Sequence, residues 1–313
     1  MAHRLVCVFG GSGFIGRHLV RRLAHAGDRV RIAVRDPEGA HFLKPLGNVG
    51  QIVAVAANLG HEGSIKAAAA GADAVVNLVG TFATGKFEAI HVDGPDAIAA
   101  AARAAGAKSL VHVSALGADA ESPSAYGRSK AAGEAAVRAA FPGAVILRPS
   151  LVFGPEDDFY NRFATLSGIS PILPAVGTAQ YQPVYVGDVA DAIMAALDNP
   201  AHAGKTFSLG GPRRYTMREI MAMVLAATGR KRLILSEPLW QARLQSIFLQ
   251  FVPGPLKLTP DQVRMLAVDN VVPEGAPGLA ELGITPTAAE VIVPTYLARF
   301  RNPFAPRQPK AAR

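Results

Sequence analysis

The apolar positions of this chain fall into short unbroken runs, separated by longer stretches in which apolar residues recur every third or fourth position. Unbroken runs are strands covered on both faces, and the spaced stretches are amphipathic helices. Leu5-Val6-Cys7-Val8-Phe9 is the first run, followed by Ile15, Leu19, Val20 and Leu23 at helical spacing, and Arg29–Val34 is the second strand. The alternation continues through strand 51–55 and helix 62–70, strand 74–78 and helix 87–105, strand 109–113 and helix 126–140, to strand 144–147. Strand and helix repeated in this way predict an α/β fold built on a doubly wound parallel sheet. The alanine tract 97–105 reads as core-facing helix, because alanine is the best helix former and lets a helix lie close on a sheet.

After Leu147 the pattern changes, with prolines at 149, 155, 171, 174 and 183 interrupting periodicity. We place the boundary there: residues 1–150 form the first domain and 151–313 a smaller C-terminal α/β lobe. The segment Gln182–Ile193 reads as a short strand and then a helix, near 187–198, that returns to the first domain. Thr206–Leu209 is a strand. Thr216–Ala227 is a helix in which Thr216 and Glu219 can form a capping box. Trp240–Val252 carries Leu244, Ile247, Phe248, Leu249, Phe251 and Val252, which fits either a core helix or an apolar docking surface; core is the simpler expectation. From about 299 a basic, proline-containing tail is expected to be loose, and no internal repeat is present.

The turn after the first strand carries the most chemistry. Gly10, Gly13 and Gly16 form Gly-x-x-Gly-x-x-Gly between a strand and a helix. Gly10 can make the tight turn, Gly13 can admit a pyrophosphate, and Gly16 can seat the helix on the sheet. Amides of the first helical turn, near Phe14 and Ile15, then face the phosphate with the helix dipole behind them. This is a Rossmann-type dinucleotide site. Arg35, nineteen residues after Gly16, ends the second strand where an arginine accepts a 2′-phosphate and an acid accepts the ribose hydroxyls. Arg35 favours NADP(H); the adjacent Asp36 keeps NAD(H) possible.

Composition narrows the remaining classes. Half of the 313 residues are apolar, enough for a large core. The net charge of +8 is dispersed, with few aromatics among the cations, so we expect no nucleic-acid partner and read the charge as solubility or docking to an acidic partner or membrane surface. Cys7 is the one cysteine, expected in the core and in a reducing compartment. With no apolar run long enough to span a bilayer and no signal-peptide core, the expected location is cytoplasmic. Scattered histidines predict no metal site.

Tyr126 and Lys130 stand four residues apart, one turn of helix, on one face. Lys130, near a nicotinamide ribose, could lower the Tyr126 phenol toward general acid/base use. Ser114 follows strand 109–113 and could hydrogen-bond a carbonyl or hydroxyl at the sheet's carboxyl edge.

Together with Asn77-Leu78-Val79-Gly80 and Arg148-Pro149-Ser150, these motifs resemble the extended and atypical short-chain dehydrogenase/reductases over at least residues 5–210. The resemblance implies a phosphate loop at Gly10, Ser12, Gly13, Phe14, Ile15 and Gly16, and adenine-side contacts at Asn58 and Leu59. It further implies ribose and nicotinamide contacts at Leu78, Val79 and Gly80, a Pro149 turn beside the nicotinamide, and Ser114, Tyr126 and Lys130 as a catalytic set. Two departures stand out: His91 replaces the asparagine of Asn-Val-x-Gly, and Asn58 replaces a usual aspartate. A narrower set, Val8–Arg17, Leu43–Gln51, Val76–Gly80, His112-Val113-Ser114, Phe153–Asp157 and Gln182–Val186, is similar to the nucleotide-binding accessory subunit of respiratory complex I (NADH:ubiquinone oxidoreductase) and its bacterial relatives. That resemblance implies NADPH held largely as a structural element at the peripheral arm, near the cytoplasmic face of the inner membrane, with complex I subunits as partners. The alternative it leaves open is a free-standing oxidoreductase or epimerase/dehydratase with Tyr126 as proton donor and an unidentified small-molecule substrate.

Overall fold

The computed structural model describes residues 4–83, 85–252 and 254–301. They form two compact units. The first contains the residues up to Ser150 together with 186–210 and 272–286, and the second contains 151–185, 211–271 and the residues from Thr287 onward.

In the first unit, strands β1 (Leu5–Phe9), β2 (Arg29–Val34), β3 (Ile52–Ala56), β4 (Ala74–Asn77), β5 (Ser109–Val113) and β6 (Val145–Pro149) join the strand Thr206–Leu209 in one sheet. The order across it is Thr206–Leu209, β6, β5, β4, β1, β2, β3, and every pairing is parallel. This is the doubly wound Rossmann sheet, and the chain reverses direction across it at β1 and β4. Residues Val6 to Phe9 are buried throughout, which is why they read as an unbroken apolar run. Helices α1 (Phe14–His25), α2 (Glu62–Ala69), α3 (Gly94–Ala104) and α4 (Ala125–Ala140) connect the strands. The helix Val186–Asp198 packs against α1, with Arg22 forming a bidentate ion pair with Asp191 at 2.6 and 3.0 Å. Cys7 lies in the core and burial pushes its thiol up to about 12, so it stays a thiol at neutral pH.

The expected single helix over 87–105 is two pieces. A π-helical turn, Glu88–Asp93, precedes α3. The widened turn puts the His91 carbonyl against Gly133 of α4, where a Cβ would lie 1.8 Å from that oxygen.

The second unit has its own core of Phe153, Tyr160, Leu173, Tyr181, Ile220, Met221, Val224, Val293 and their neighbours. Its strands pair in twos: Val152–Phe153 with Val184–Tyr185, Gln180–Tyr181 with Tyr215–Thr216, and Ile172–Val176 with Leu233–Glu237. The helix Met217–Thr228 starts with the predicted capping box between Thr216 and Glu219 and closes on Gly229 in the left-handed region, φ 62°.

One expectation is overturned here. The helix Leu239–Leu249 does not bury its large residues: Trp240, Leu244, Ile247 and Phe248 are exposed, as is Phe251 just beyond, whereas Ala242 and Ser246 are buried. The core reading fails because the inward face is Leu239, Ala242 and Ser246, and the larger aromatic and aliphatic residues lie on the outer face. The tail expected from about 299 lies mostly outside the described residues; Ala298–Phe300 is a short 3-10 helix.

Candidate functional site

The carboxyl ends of the parallel strands in the first unit carry the glycine loop, and its geometry is set by what cannot be added to it. Gly10 has φ 78°, a conformation that strains any residue with a Cβ. A Cβ there would also lie 3.4 Å from the Leu78 carbonyl carbon and the Val79 nitrogen, so the loop rests on the backbone that follows β4. The Gly13 amide donates to the Gly10 carbonyl at 3.0 Å. A Cβ at Gly16 would sit 2.4 Å from the Gly11 carbonyl oxygen, which is how closely α1 approaches its own turn. Gly13 is the N-cap of α1 and provides no side-chain cap, so the amides of the turn at Phe14 and Ile15 have no capping side chain and could receive an anion.

The next sites follow along the same edge. Leu78 donates its amide to the Phe9 carbonyl at 3.0 Å, and the Val79 amide donates to Asn77 Oδ1 at 3.0 Å. Asn77 Nδ2 in turn donates to Nδ1 of buried His112 at 3.1 Å. Arg35 and Asp36 are exposed just past β2. Asn58, two residues past β3, uses Oδ1 to accept from the Gly60 amide at 3.0 Å, so its carboxamide holds the turn. Leu59 packs on Gly94, where a Cβ would meet Leu59 Cδ1 at 2.6 Å. Pro149 ends β6, and its carbonyl accepts from the Leu116 amide at 2.9 Å.

Tyr126 and Lys130 share one face of α4. Lys130 is buried and its Nζ donates to the Val113 carbonyl at 3.1 Å, beside Ser114. Burial lowers its ammonium to about 8, while the charge of Glu134 one turn further opposes that shift. Glu134 is buried as well, and Arg148 grips it bidentately at 2.8 and 2.7 Å. Burial pushes the Tyr126 phenol up to about 12, the opposite direction from a poised acid/base. Ser114 Oγ is buried and has no hydrogen-bond partner, an atom left for a ligand to satisfy.

His91, noted only as a departure, proves central. The Thr81 amide donates to its Nε2 at 3.0 Å, so Nδ1 carries the proton and donates to Ser129 Oγ at 2.9 Å. Ser129 passes the bond to the Tyr126 carbonyl at 2.8 Å. Burial, then the charge of Lys130, lowers the imidazole to about 4. The ring meets Tyr126 edge-on at 5.3 Å between centroids, and Phe82 stacks on Tyr126 at 4.8 Å and 19°. Phe82 and this histidine relay carried no motif that could have disclosed them beyond the departure at 91.

The orphaned Ser114 hydroxyl and a glycine cradle that a Cβ would fill fit a dinucleotide laid along this edge, and such a nicotinamide would supply hydride transfer when bound. These features define a nucleotide-binding Rossmann protein. The chain belongs to the NAD dependent epimerase/dehydratase family, whose family model matches residues 6–210. It is 35% identical over 301 residues to NADH dehydrogenase (ubiquinone) 1 alpha subcomplex subunit 9, mitochondrial, of Mus musculus, covering 94% of this chain and 80% of that relative. It is also 35% identical over 243 residues to the ceramide reductase of Caulobacter vibrioides, covering 76% and 74%. The crystal structure of UDP-glucose 4-epimerase from Thermus thermophilus, complexed with NAD, shares the fold, with TM-score 0.68, 20% identity, and coverage of 96% of this chain and 98% of that one.

Proposed function

We propose that this protein holds NADP(H) largely as a structural element, as a partner of respiratory complex I at its peripheral arm, on the cytoplasmic face of the inner membrane. The phosphates lie on the turn from Gly10 to Gly16, and Arg35 takes the 2′-phosphate in preference to Asp36 taking ribose hydroxyls. The observation that carries the reading is the state of the tyrosine: its ring is covered by Phe82 and its phenol is raised to about 12, while Lys130 is committed to a backbone carbonyl. A site that only holds its nucleotide has no use for a phenol near neutrality. Similarity to a complex I subunit over 94% of the chain supports the partner.

The second reading is a free-standing oxidoreductase or epimerase/dehydratase with Tyr126 as proton donor. It is favoured by the unsatisfied Ser114 hydroxyl, which suits a substrate oxygen. Gentle purification of the native protein, with mass spectrometry of the released nucleotide and of the co-eluting proteins, separates the two. Slowly exchanging NADPH with complex I subunits is the expected result; a freely exchanging site in an isolated protein overturns it in favour of the enzyme.

A further inference from the structure

The helix Leu239–Leu249 is apolar on both faces, and its larger side chains are on the outer one. Trp240, Leu244, Ile247 and Phe248 recur at helical spacing and occupy an arc of about 100° on one face, and Phe251 follows in the turn just past the helix. All five are exposed, Phe248 to 75% and Phe251 to 81%. The opposite face carries Ala242, packed with Val176 and Val263 beside Leu239, Leu258 and Leu266, and buried Ser246. The small residues let the helix sit close on the second unit and leave its large apolar stripe outward. A contiguous apolar face of this kind marks an interaction surface.

Charge selects the occupant. From Pro238 to Pro260 the chain carries Arg243 and Lys257, both exposed, and no Asp or Glu; of the acids that flank this segment, Glu237 is half-buried and Asp261 is buried beside Arg264. A second copy docking through this face would bring four cations together with no exposed acid in the segment to neutralise them. A bilayer containing anionic lipid satisfies both halves at once: acyl chains take the aromatic and aliphatic stripe, and headgroups take the cations. Eleven helical residues span about 16 Å, well short of the roughly 30 Å hydrocarbon core, so the helix would lie in the interface plane. No helix among the described residues is long and apolar enough to cross a membrane.

We infer that the helix Leu239–Leu249 with Phe251 is a monotopic membrane anchor that inserts its Trp240–Phe251 stripe into anionic lipid surfaces. This holds whether the glycine-loop nucleotide is structural or catalytic.

Trp240 is the single tryptophan of the chain, so its emission reports on this face alone. The full chain is titrated with vesicles of phosphatidylcholine containing about 30 mol% phosphatidylglycerol, and with vesicles of phosphatidylcholine only. Expected are a blue shift of Trp240 emission, quenching by brominated acyl chains, and partitioning roughly tenfold stronger on the anionic vesicles that weakens with salt. The double variant Phe248→Ser/Phe251→Ser should lose at least roughly tenfold in partitioning, and Arg243→Glu/Lys257→Glu should abolish the preference for phosphatidylglycerol. Unchanged emission overturns the inference, as does vesicle binding indifferent to the serine variant. Emission already blue without lipid, together with a doubled solution mass, would assign the face to a second copy instead.

Discussion

Helix α1 and the helix Leu239–Leu249 each carry a stripe of large apolar residues, and the two stripes end up facing opposite ways. In α1 the stripe of Leu19, Val20 and Leu23 is fully buried; in the later helix the equivalent stripe is open. Periodicity therefore fixes that a helix forms and which face is apolar, but not whether the protein itself covers that face. Cover is supplied by topology. A helix joining two parallel strands must return across their sheet and lies on it, whereas Leu239–Leu249 follows a strand whose sheet has only two members. The first unit buries the stripe of its helix, and the second leaves one apolar face exposed.

The largest test of that contrast is in the closed unit. At Gly133→Ala the new methyl group would meet the His91 carbonyl at 1.8 Å, a backbone atom that cannot rotate away. A loss of more than about 3 kcal/mol is expected, read by chemical denaturation, and an unchanged midpoint would mean that α4 is free to slide on the π-turn. Next is Glu134→Gln, which leaves Arg148 without its bidentate partner and should cost about 2 to 3 kcal/mol. It also removes the charge that supports protonated Lys130, so the lysine should titrate lower in the variant, measurable by NMR.

The acid limb should also belong to the first unit. His91 is held neutral, near 4 when folded against an ordinary 6.5. Between those values the unfolded chain binds more protons, so the stabilisation is complete above about pH 6.5 and lost as pH falls through about 4. His112 shifts the same way. His91 alone accounts for about 2 kcal/mol by about pH 5. His91→Asn should flatten that slope in pH-dependent melts, and a slope identical to the parent would remove His91 as its source.

The same division explains what could be read in advance. Strands β1 and β5 are bounded by polar or glycine residues and buried along nearly their whole length, so their limits were legible to the residue; β2 was legible too, although its Arg29 is exposed and Arg31 half-buried. The capping box at Thr216 and Glu219 is a local hydrogen-bond pattern, legible for the same reason. Gly10, Gly13 and Gly16 announced the loop, and Tyr126 with Lys130 announced a shared helix face. The His91 relay was not legible, because it joins Thr81, Ser129 and Tyr126 through a π-turn that no spacing rule encodes. Nor was the return of residues 272–286 to the first unit, which is held by contacts such as the Ser208 amide to the Pro277 carbonyl at 2.8 Å. The outward face of Leu239–Leu249 was misread because only the packing of Ala242 and Ser246 discloses it.

Replacing Phe248 and Phe251 with serine removes two aromatic rings from the end of the helix Leu239–Leu249 and the turn after it, whereas the loss of two large side chains from α1 or α3 would empty the core. Leu19→Ala or Ile98→Ala, each at a fully buried position, should cost about 2 to 5 kcal/mol. The paired serine variant should change unfolding free energy in lipid-free buffer by no more than about 0.5 kcal/mol, because neither ring loses contacts that the folded chain supplies. A larger loss would mean that the stripe is covered by this chain after all, and the opposition between the two units would fall with it. Near-neutral stability with lost vesicle binding would separate the two uses of one pattern: apolar residues that make the fold, and apolar residues that the fold holds out for a partner.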